Sequence, residues 1–308
     1  MRAAFIKTLF EMAQKDKRIM LVVGDLGFGV VTPFMEQLPA QFINAGVAEQ
    51  NMTGMAAGIA LSGKIVFTYS IANFPTIRCL EQVRNDICYH KADVKIVSVG
   101  GGMSYGSLGI THHATEDIAI MRSLPNMVVV APGDPIEAGL ATRAVVEHSG
   151  PCYLRLGRDG EPIVHPPDVD FRLGKAILVQ DGKDLTFIVT GALLPEAIAA
   201  ADSLRERKIT ARILSMHTVK PLDREAVLTA ARKTPLVFTV EEHSIIGGLG
   251  GAVAEILMEA DLGYVRFKRI GLNDAFCNKV GDQNYLRAEY GLDTHGILRT
   301  VESVLDET

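Results

Sequence analysis

The chain has 308 residues, 48% of them apolar and 22% charged, a balance that supports a full core and excludes long disordered tails and collagen-like repeats. Thirty-one basic against thirty-six acidic residues leave a net charge of −5, with no long Lys/Arg block, which argues against a general nucleic-acid or anionic-membrane binder. No window reaches ~18 uninterrupted apolar residues, so no membrane span is predicted.

The N-terminal stretch MRAAFIKTLFEMAQKDKR reads as an amphipathic helix and not as a signal peptide. After it, strands and helices alternate. The first half predicts helix 3–15, strand 19–24, helix 50–61, strand 65–69, helix 77–89 and strand 94–99. A short helix at 117–123, strand 127–131, helix 135–148 and strand 152–156 follow. The strands are short Val/Ile runs bounded by Gly or Pro; the helices are longer and carry apolar residues three and four apart. GEPIVHPPDVD at 160–170 has three prolines and no helical period, and reads as a linker. A second alternation predicts strands 185–190, 210–215, 236–241 and 264–271, with helices 194–207, 224–232 and 251–260 between them and helices 283–290 and 294–305 last. The fold class is therefore α/β: two domains, 1–160 and 173–308, with mainly parallel sheets flanked by helices, joined by a linker at 161–172.

Four cysteines, Cys79, Cys88, Cys152 and Cys277, form no C-x-x-C and suit neither zinc nor a disulfide scaffold. They read as reduced thiols of a cytoplasmic protein, and no metal site is expected on this chain.

Several loops follow predicted strands, where open α/β sheets place ligands. Gly24-Asp25-Leu26-Gly27-Phe28-Gly29 has the wrong spacing for a dinucleotide site and reads as a tight turn; Asp25 is either its cap or a ligand contact. Glu49 falls in the first turn of a small-residue helix, where it either complements the helix dipole or does chemistry. Gly54 and Gly58 in that helix imply close approach, either of a packed helix or of another copy of the chain. GGGMSYGSLGITHH at 100–113 has too many glycines for a regular element; its backbone must pass close to something, and one of its two histidines is a candidate site residue. Arg155 and Arg158 are either solvated or an anion site at a strand end. The glycines of EEHSIIGGLGG at 241–251 serve either close packing or an anion at a helix start.

Together these segments resemble the transketolase family of thiamine diphosphate enzymes over almost the whole chain. GVAEQNMTGMAAGIAL resembles the family's cofactor-activating segment, and THHATEDIAIMRSLPNMVVVAPGDPIEA its downstream loop, helix and strand. VTGALLPEAIAAADSL, ILSMHTVKPLD and TVEEHSIIGGLGGAVAEIL resemble its C-terminal domain, with particular similarity to deoxyxylulose-phosphate synthase. The resemblance implies a pyrimidine-binding domain followed by a transketolase C-terminal domain. It implies that Glu49 hydrogen-bonds a ring nitrogen of the cofactor's aminopyrimidine, that Asp25 lies near the thiazolium, and that Tyr69 and Phe74 stack on the pyrimidine. It further implies that Arg78 and Arg158 contact substrate and that His112, in the place of the family's T-H-Q histidine, moves a proton to or from a substrate oxygen.

Two departures shape the expectation. The diphosphate-binding G-D-G…Asn signature of full-length transketolases is absent, so the chain reads as the C-terminal subunit of a split enzyme. It would share thiamine diphosphate with a partner N-terminal subunit that carries Mg²⁺, and would itself dimerise. Leu108 stands where many transketolases have an aspartate, and Gly100 where they often have a phosphate-binding histidine, which puts ordinary pentose phosphates in doubt. The expected reaction is transfer of a two-carbon ketol unit between sugar-like substrates. The alternatives are the β subunit of a 2-oxo-acid dehydrogenase first component, or a non-catalytic paralogue.

Overall fold

The computed structural model describes residues 1–263 and 265–306. The strands are β1 (Ile19–Val23), β2 (Phe42–Asn44), β3 (Ile65–Ile71), β4 (Val94–Val99), β5 (Val128–Val130), β6 (Cys152–Leu156), β7 (Ile177–Gln180), β8 (Leu185–Val189), β9 (Ala211–Ser215), β10 (Thr218–Lys220), β11 (Leu236–Ser244) and β12 (Arg266–Leu272). The amphipathic segments become α1 (Arg2–Ala13), α2 (Thr32–Gln37), α3 (Glu49–Leu61), α4 (Leu80–Gln82), α5 (Asp117–Ser123), α6 (Pro135–Glu147), α7 (Leu194–Glu206), α8 (Arg224–Lys233), α9 (Leu249–Glu259), α10 (Gln283–Glu289) and α11 (Thr294–Asp306). No helix of the described residues is long and apolar enough to cross a membrane.

The strands form a seven-stranded sheet, β10-β5-β6-β4-β3-β1-β2, and a five-stranded sheet, β12-β11-β8-β9-β7. All neighbours pair in parallel except two, the antiparallel pairs β10–β5 and β7–β9. Apolar layers cover both faces of each sheet. β10 comes from the second half of the chain and closes an edge of the first sheet, so the two halves are interlocked. The four cysteines are free and buried.

Helix starts follow their caps. Asp134, Asp223 and Asp282 accept from the backbone N–H of Glu137, Ala226 and Tyr285 at 2.7, 3.1 and 2.8 Å. α9 begins two residues earlier than its pattern predicts because Glu241 caps it: the Leu249 and Gly250 amides both donate to that carboxylate at 2.7 Å. The anion at this helix start is the chain's own. A Cβ at Gly248 would lie 2.1 Å from Glu241, so the glycine also serves packing. The predicted helix 77–89 begins earlier and is wound differently, as a π-helical turn Phe74–Arg78, then α4, then a second π-helical stretch Val83–Tyr89. α2, β2, β7 and β10 escape the sequence because three to six residues hold too little of any period. The predicted last strand starts at Tyr264, which lies outside the described residues; β12 begins at Arg266.

Among the described residues no helix or strand lies between Leu156 and Ile177, yet this segment is tied to both halves. Asp134 accepts from the Val164 and His165 amides at 2.8 Å each. Glu137 meets the His165 ring at 2.8 Å, the Ser215 hydroxyl at 2.6 Å and the Gly133 amide at 2.5 Å. Burial pushes the Glu137 carboxyl up, but the His165 bond and the His217 ring outweigh it and hold it below its usual value. Burial likewise pushes the His165 imidazole down, and the Glu137 carboxylate more than reverses this.

The pair's stabilisation is complete only where Glu137 is ionised and His165 protonated, between the usual values of 4.5 and 6.5. It fades as pH rises through the raised value of His165, and again as pH falls through the lowered value of Glu137. The thermal-midpoint advantage of the wild type over His165→Gln should therefore be greatest in that window and shrink above it. An advantage that grows with rising pH would contradict the pairing.

Candidate active site

The strand order sets the carboxyl ends of β1, β3, β4 and β6 side by side, and the loops leaving them carry Asp25, Phe74, the 100–113 segment and Arg158. After β2 the chain crosses back over β1 to β3 through α3, and the first residue of α3 is Glu49. Glu49 is 2% exposed. Its carboxylate lies 2.7 Å from the Arg78 guanidinium and accepts from the Ser70 hydroxyl at 3.4 Å. A Cβ placed on Gly24 would sit 3.7 Å from the same carboxylate, so the β1 turn forms its other wall.

From Glu49 the side chains form one continuous row. The Arg78 guanidinium lies 4.6 Å over the Phe74 ring. Phe74 meets His112 edge-on at 5.2 Å. His112 lies 6.3 Å from the ring of Tyr105, and Arg158 covers Tyr105 at 5.1 Å. One ring nitrogen of His112 is engaged by the Thr111 hydroxyl at 3.0 Å. The row brings together Glu49, Arg78, Phe74, His112 and Arg158. At its Arg158 end lies a cavity of about 580 Å³, lined also by Ser104, Ser107, Gln283, Asn284 and Arg287.

Two of the expected cofactor contacts, Tyr69 and Asp25, stand outside the row. Tyr69 does not join the row. It alternates with Ser70 along β3, so while Ser70 faces Glu49, Tyr69 faces the opposite side of the sheet. There it is 1% exposed, stacked 6.1 Å from Phe5 in the core, and burial raises its phenol far above the usual value. Asp25 stands at the site's edge with φ +56°. Its amide donates to the Asn44 side-chain oxygen at 3.1 Å, and its carboxylate accepts from the Asn44 amide at 2.9 Å. That exchange pins the turn to the end of β2.

Arg155 is neither solvated nor an anion site. It is 6% exposed and donates to Asp117 at 2.7 Å and to the carbonyls of Ala114 and Glu242 at 2.8 and 3.0 Å. This contact explains the glycine run that opens the loop. A Cβ on Gly100 would fall 2.2 Å from Tyr105, one on Gly101 2.7 Å from Arg155, and one on Gly102 2.6 Å from Glu242. Sequence reasoning misses Tyr105; the available signal is a single aromatic residue inside a glycine-rich loop. Among the described residues no group of three His, Cys, Asp or Glu could hold a metal ion.

Two mainly parallel sheets flanked by helices, with a buried carboxylate and a histidine at the carboxyl edge of the first, define an α/β protein with a candidate site at that edge. Comparison with known proteins gives the family. The transketolase pyrimidine-binding domain model matches residues 1–160, and the transketolase C-terminal domain model matches residues 174–297. The chain is 43% identical to an apulose-4-phosphate transketolase subunit of Phocaeicola vulgatus, covering 97% of this chain and 95% of that one. It is 40% identical to a 6-deoxy-6-sulfo-D-fructose transketolase subunit of Clostridium sp. (strain MSTE9), covering 99% and 94%. A solved structure described as a split gene transketolase, inactive beta4 tetramer, superposes with a TM-score of 0.89 at 38% identity, covering 99% and 97%. The chain belongs to the transketolase family.

The Glu49–Arg78 contact gives a direct test of the site's geometry. Arg78→Ala strips the cation from a buried carboxylate and should destabilise the chain by about 1–3 kcal/mol. This is less than for a fully buried pair, because the Arg78 side chain is 49% exposed. Adding Glu49→Gln to Arg78→Ala should recover most of the loss in urea unfolding. Strictly additive losses would show that the two side chains do not interact.

Proposed function

We propose that this chain is the C-terminal subunit of a split, thiamine-diphosphate-dependent transketolase that transfers a two-carbon ketol unit between sugar-like substrates. On this reading, residues 1–160 bind the pyrimidine, 161–172 link, and 173–308 form the C-terminal domain. The observation that carries the proposal is the buried Glu49 carboxylate, joined in one row of contacts through Arg78 and Phe74 to His112.

The residues present fit the pyrimidine half of the cofactor. Glu49 supplies a carboxylate sheltered from water, Phe74 an aromatic face, and Gly24 a wall without a side chain. When bound, thiamine diphosphate would supply the nucleophilic carbon for addition to a ketose carbonyl. Glu49 shares a proton with a ring nitrogen of the aminopyrimidine, and its dry surroundings strengthen that bond. In doing so it would give up its Arg78 partner, and the guanidinium would then be free to meet substrate. His112, on the open side of Phe74, moves a proton to or from the substrate oxygen. Arg158 would take the substrate's anionic end, and Asp25, through Asn44, would hold the turn after β1 on the cofactor side.

The names of the relatives support an anionic tail: one is named for a sugar phosphate, the other for a sulfonated sugar. Both are called subunits, and the structural neighbour is described as an inactive tetramer of one subunit type. These support a partner that supplies the diphosphate and Mg²⁺ site, and self-association of this chain. An added Cβ at Gly54 or Gly58 meets nothing within 4 Å, so this part of α3 is open in the single chain and suits an interface.

Mixing the chain with the diphosphate-binding subunit, thiamine diphosphate and Mg²⁺ should yield ketol transfer that neither subunit shows alone, and Glu49→Ala should abolish it. Decarboxylation of a 2-oxo acid by the assembled pair, with no ketol transfer, would overturn the proposal. In the active pair, Arg158→Ala should raise KM for anionic ketoses roughly ten- to a hundredfold, equivalent to ~1.4–2.8 kcal/mol. The change in kcat should be smaller, since the tail lies away from the reacting carbon. Equal turnover of neutral and anionic ketoses by both wild type and variant would remove Arg158 from the site.

A further inference from the structure

The π-helical turn that presents Phe74 and Arg78 to the row of site residues presents Ile77 to a second cavity of about 700 Å³, between the first half of the chain and the 244–276 region of the second. That volume falls in the range of small-molecule sites, ~300–1,000 Å³. His113, next to the site residue His112, lines this cavity. It is 2% exposed, and neither of its ring nitrogens has a hydrogen-bond partner. Asn73 also lines it. The Asn73 amide nitrogen donates to the Thr111 carbonyl at 2.5 Å, but its side-chain oxygen is buried and unpartnered. Buried polar atoms are nearly always paired, so unpaired ones on one cavity wall call for an occupant. Burial pushes the His113 imidazole below its usual value, although Glu242, Glu116 and the nearby Gly106 backbone pull it back. The ring is therefore neutral near pH 7 and carries a lone pair.

The lining chemistry says what kind of occupant. Glu116 and Asp274 line the cavity, and among the described residues no Lys or Arg does. With the Asn73 oxygen and the His113 lone pair, acceptors dominate. Ile77, Ile246 and Phe276 line the same cavity and are 50%, 55% and 77% exposed. We propose that this cavity binds a small organic cation, an ammonium or amidinium group on an apolar body. Its N–H groups bond Asn73, His113 and Glu116, and its body covers Ile77, Ile246 and Phe276. A ligand so placed contacts the turn bearing Phe74 and Arg78, and the residue following His112, without entering the row itself.

The test uses the full chain with isotope-labelled histidine, the His113 ring signals being assigned by their loss in His113→Gln. Benzylamine is the probe; benzyl alcohol and phenylacetate are the comparisons. Benzylamine should shift the His113 signals saturably, with phenylacetate at least tenfold weaker. Glu116→Gln, which leaves His113 in place, should weaken benzylamine at least fivefold and leave benzyl alcohol unchanged. Three results would each overturn the proposal: no movement of His113 with benzylamine, equal binding of all three probes as in a merely apolar groove, or loss of benzylamine binding once the partner subunit is added, which would make the cavity a seat for that subunit. None of these depends on ketol transfer, so the proposal and the functional reading fail separately.

Discussion

The buried Arg155 guanidinium sets the shape of everything around the site. A cation sealed from water must have its donors met, and Arg155 meets them across the molecule: Asp117 and Ala114 on its own side, and the Glu242 carbonyl from the second half. The Tyr153 hydroxyl donates to the same Asp117 carboxylate. Glu242 in turn accepts from the Met103 amide at 2.7 Å and from Arg287 at 2.6 Å. The segment from Met103 to Asp117 is thus clamped at both ends, and between the clamps it carries Tyr105 and His112. Among the described residues, the second half of the chain contributes none to the Glu49–Arg158 row. Its role there is to fix the loop that does.

The row also depends on an irregular helix. A regular α-helix over 77–89 would start after Phe74. The π-helical turn at Phe74–Arg78 brings the Arg78 guanidinium both over the Phe74 ring and onto the Glu49 carboxylate. Such turns are disfavoured in isolation and recur at functional sites. The same turn aims Ile77 the other way, toward the His113 cavity, so one local distortion serves both the row and that cavity.

Much of this is legible in the sequence, and the rest fails for identifiable reasons. Strands β4 and β6 match their predicted bounds to the residue. Glu49, Phe74, Arg78, His112 and Arg158, chosen by motif, meet in one row. Tyr69 stays outside the row because a resemblance read along the chain cannot say which side of a strand a residue faces, and a one-residue step along β3 changes that side. Arg155 stays open in the sequence because the partners that bury it lie up to 87 positions away. The 100–102 glycines announce a close approach, but what approaches, Tyr105, Arg155 and Glu242, is decided by tertiary packing alone. The short elements β2, β7 and β10 are held by their neighbours in the sheet and have no independent signature.

In the proposed function Glu49 activates the cofactor through a shared proton, and exchange of the cofactor's thiazolium proton with solvent deuterium reads that role out without a substrate. In the assembled two-subunit enzyme, Glu49→Gln should slow that exchange by about a hundredfold or more while cofactor remains bound. Exchange at the wild-type rate in the Glu49→Gln enzyme would contradict the account.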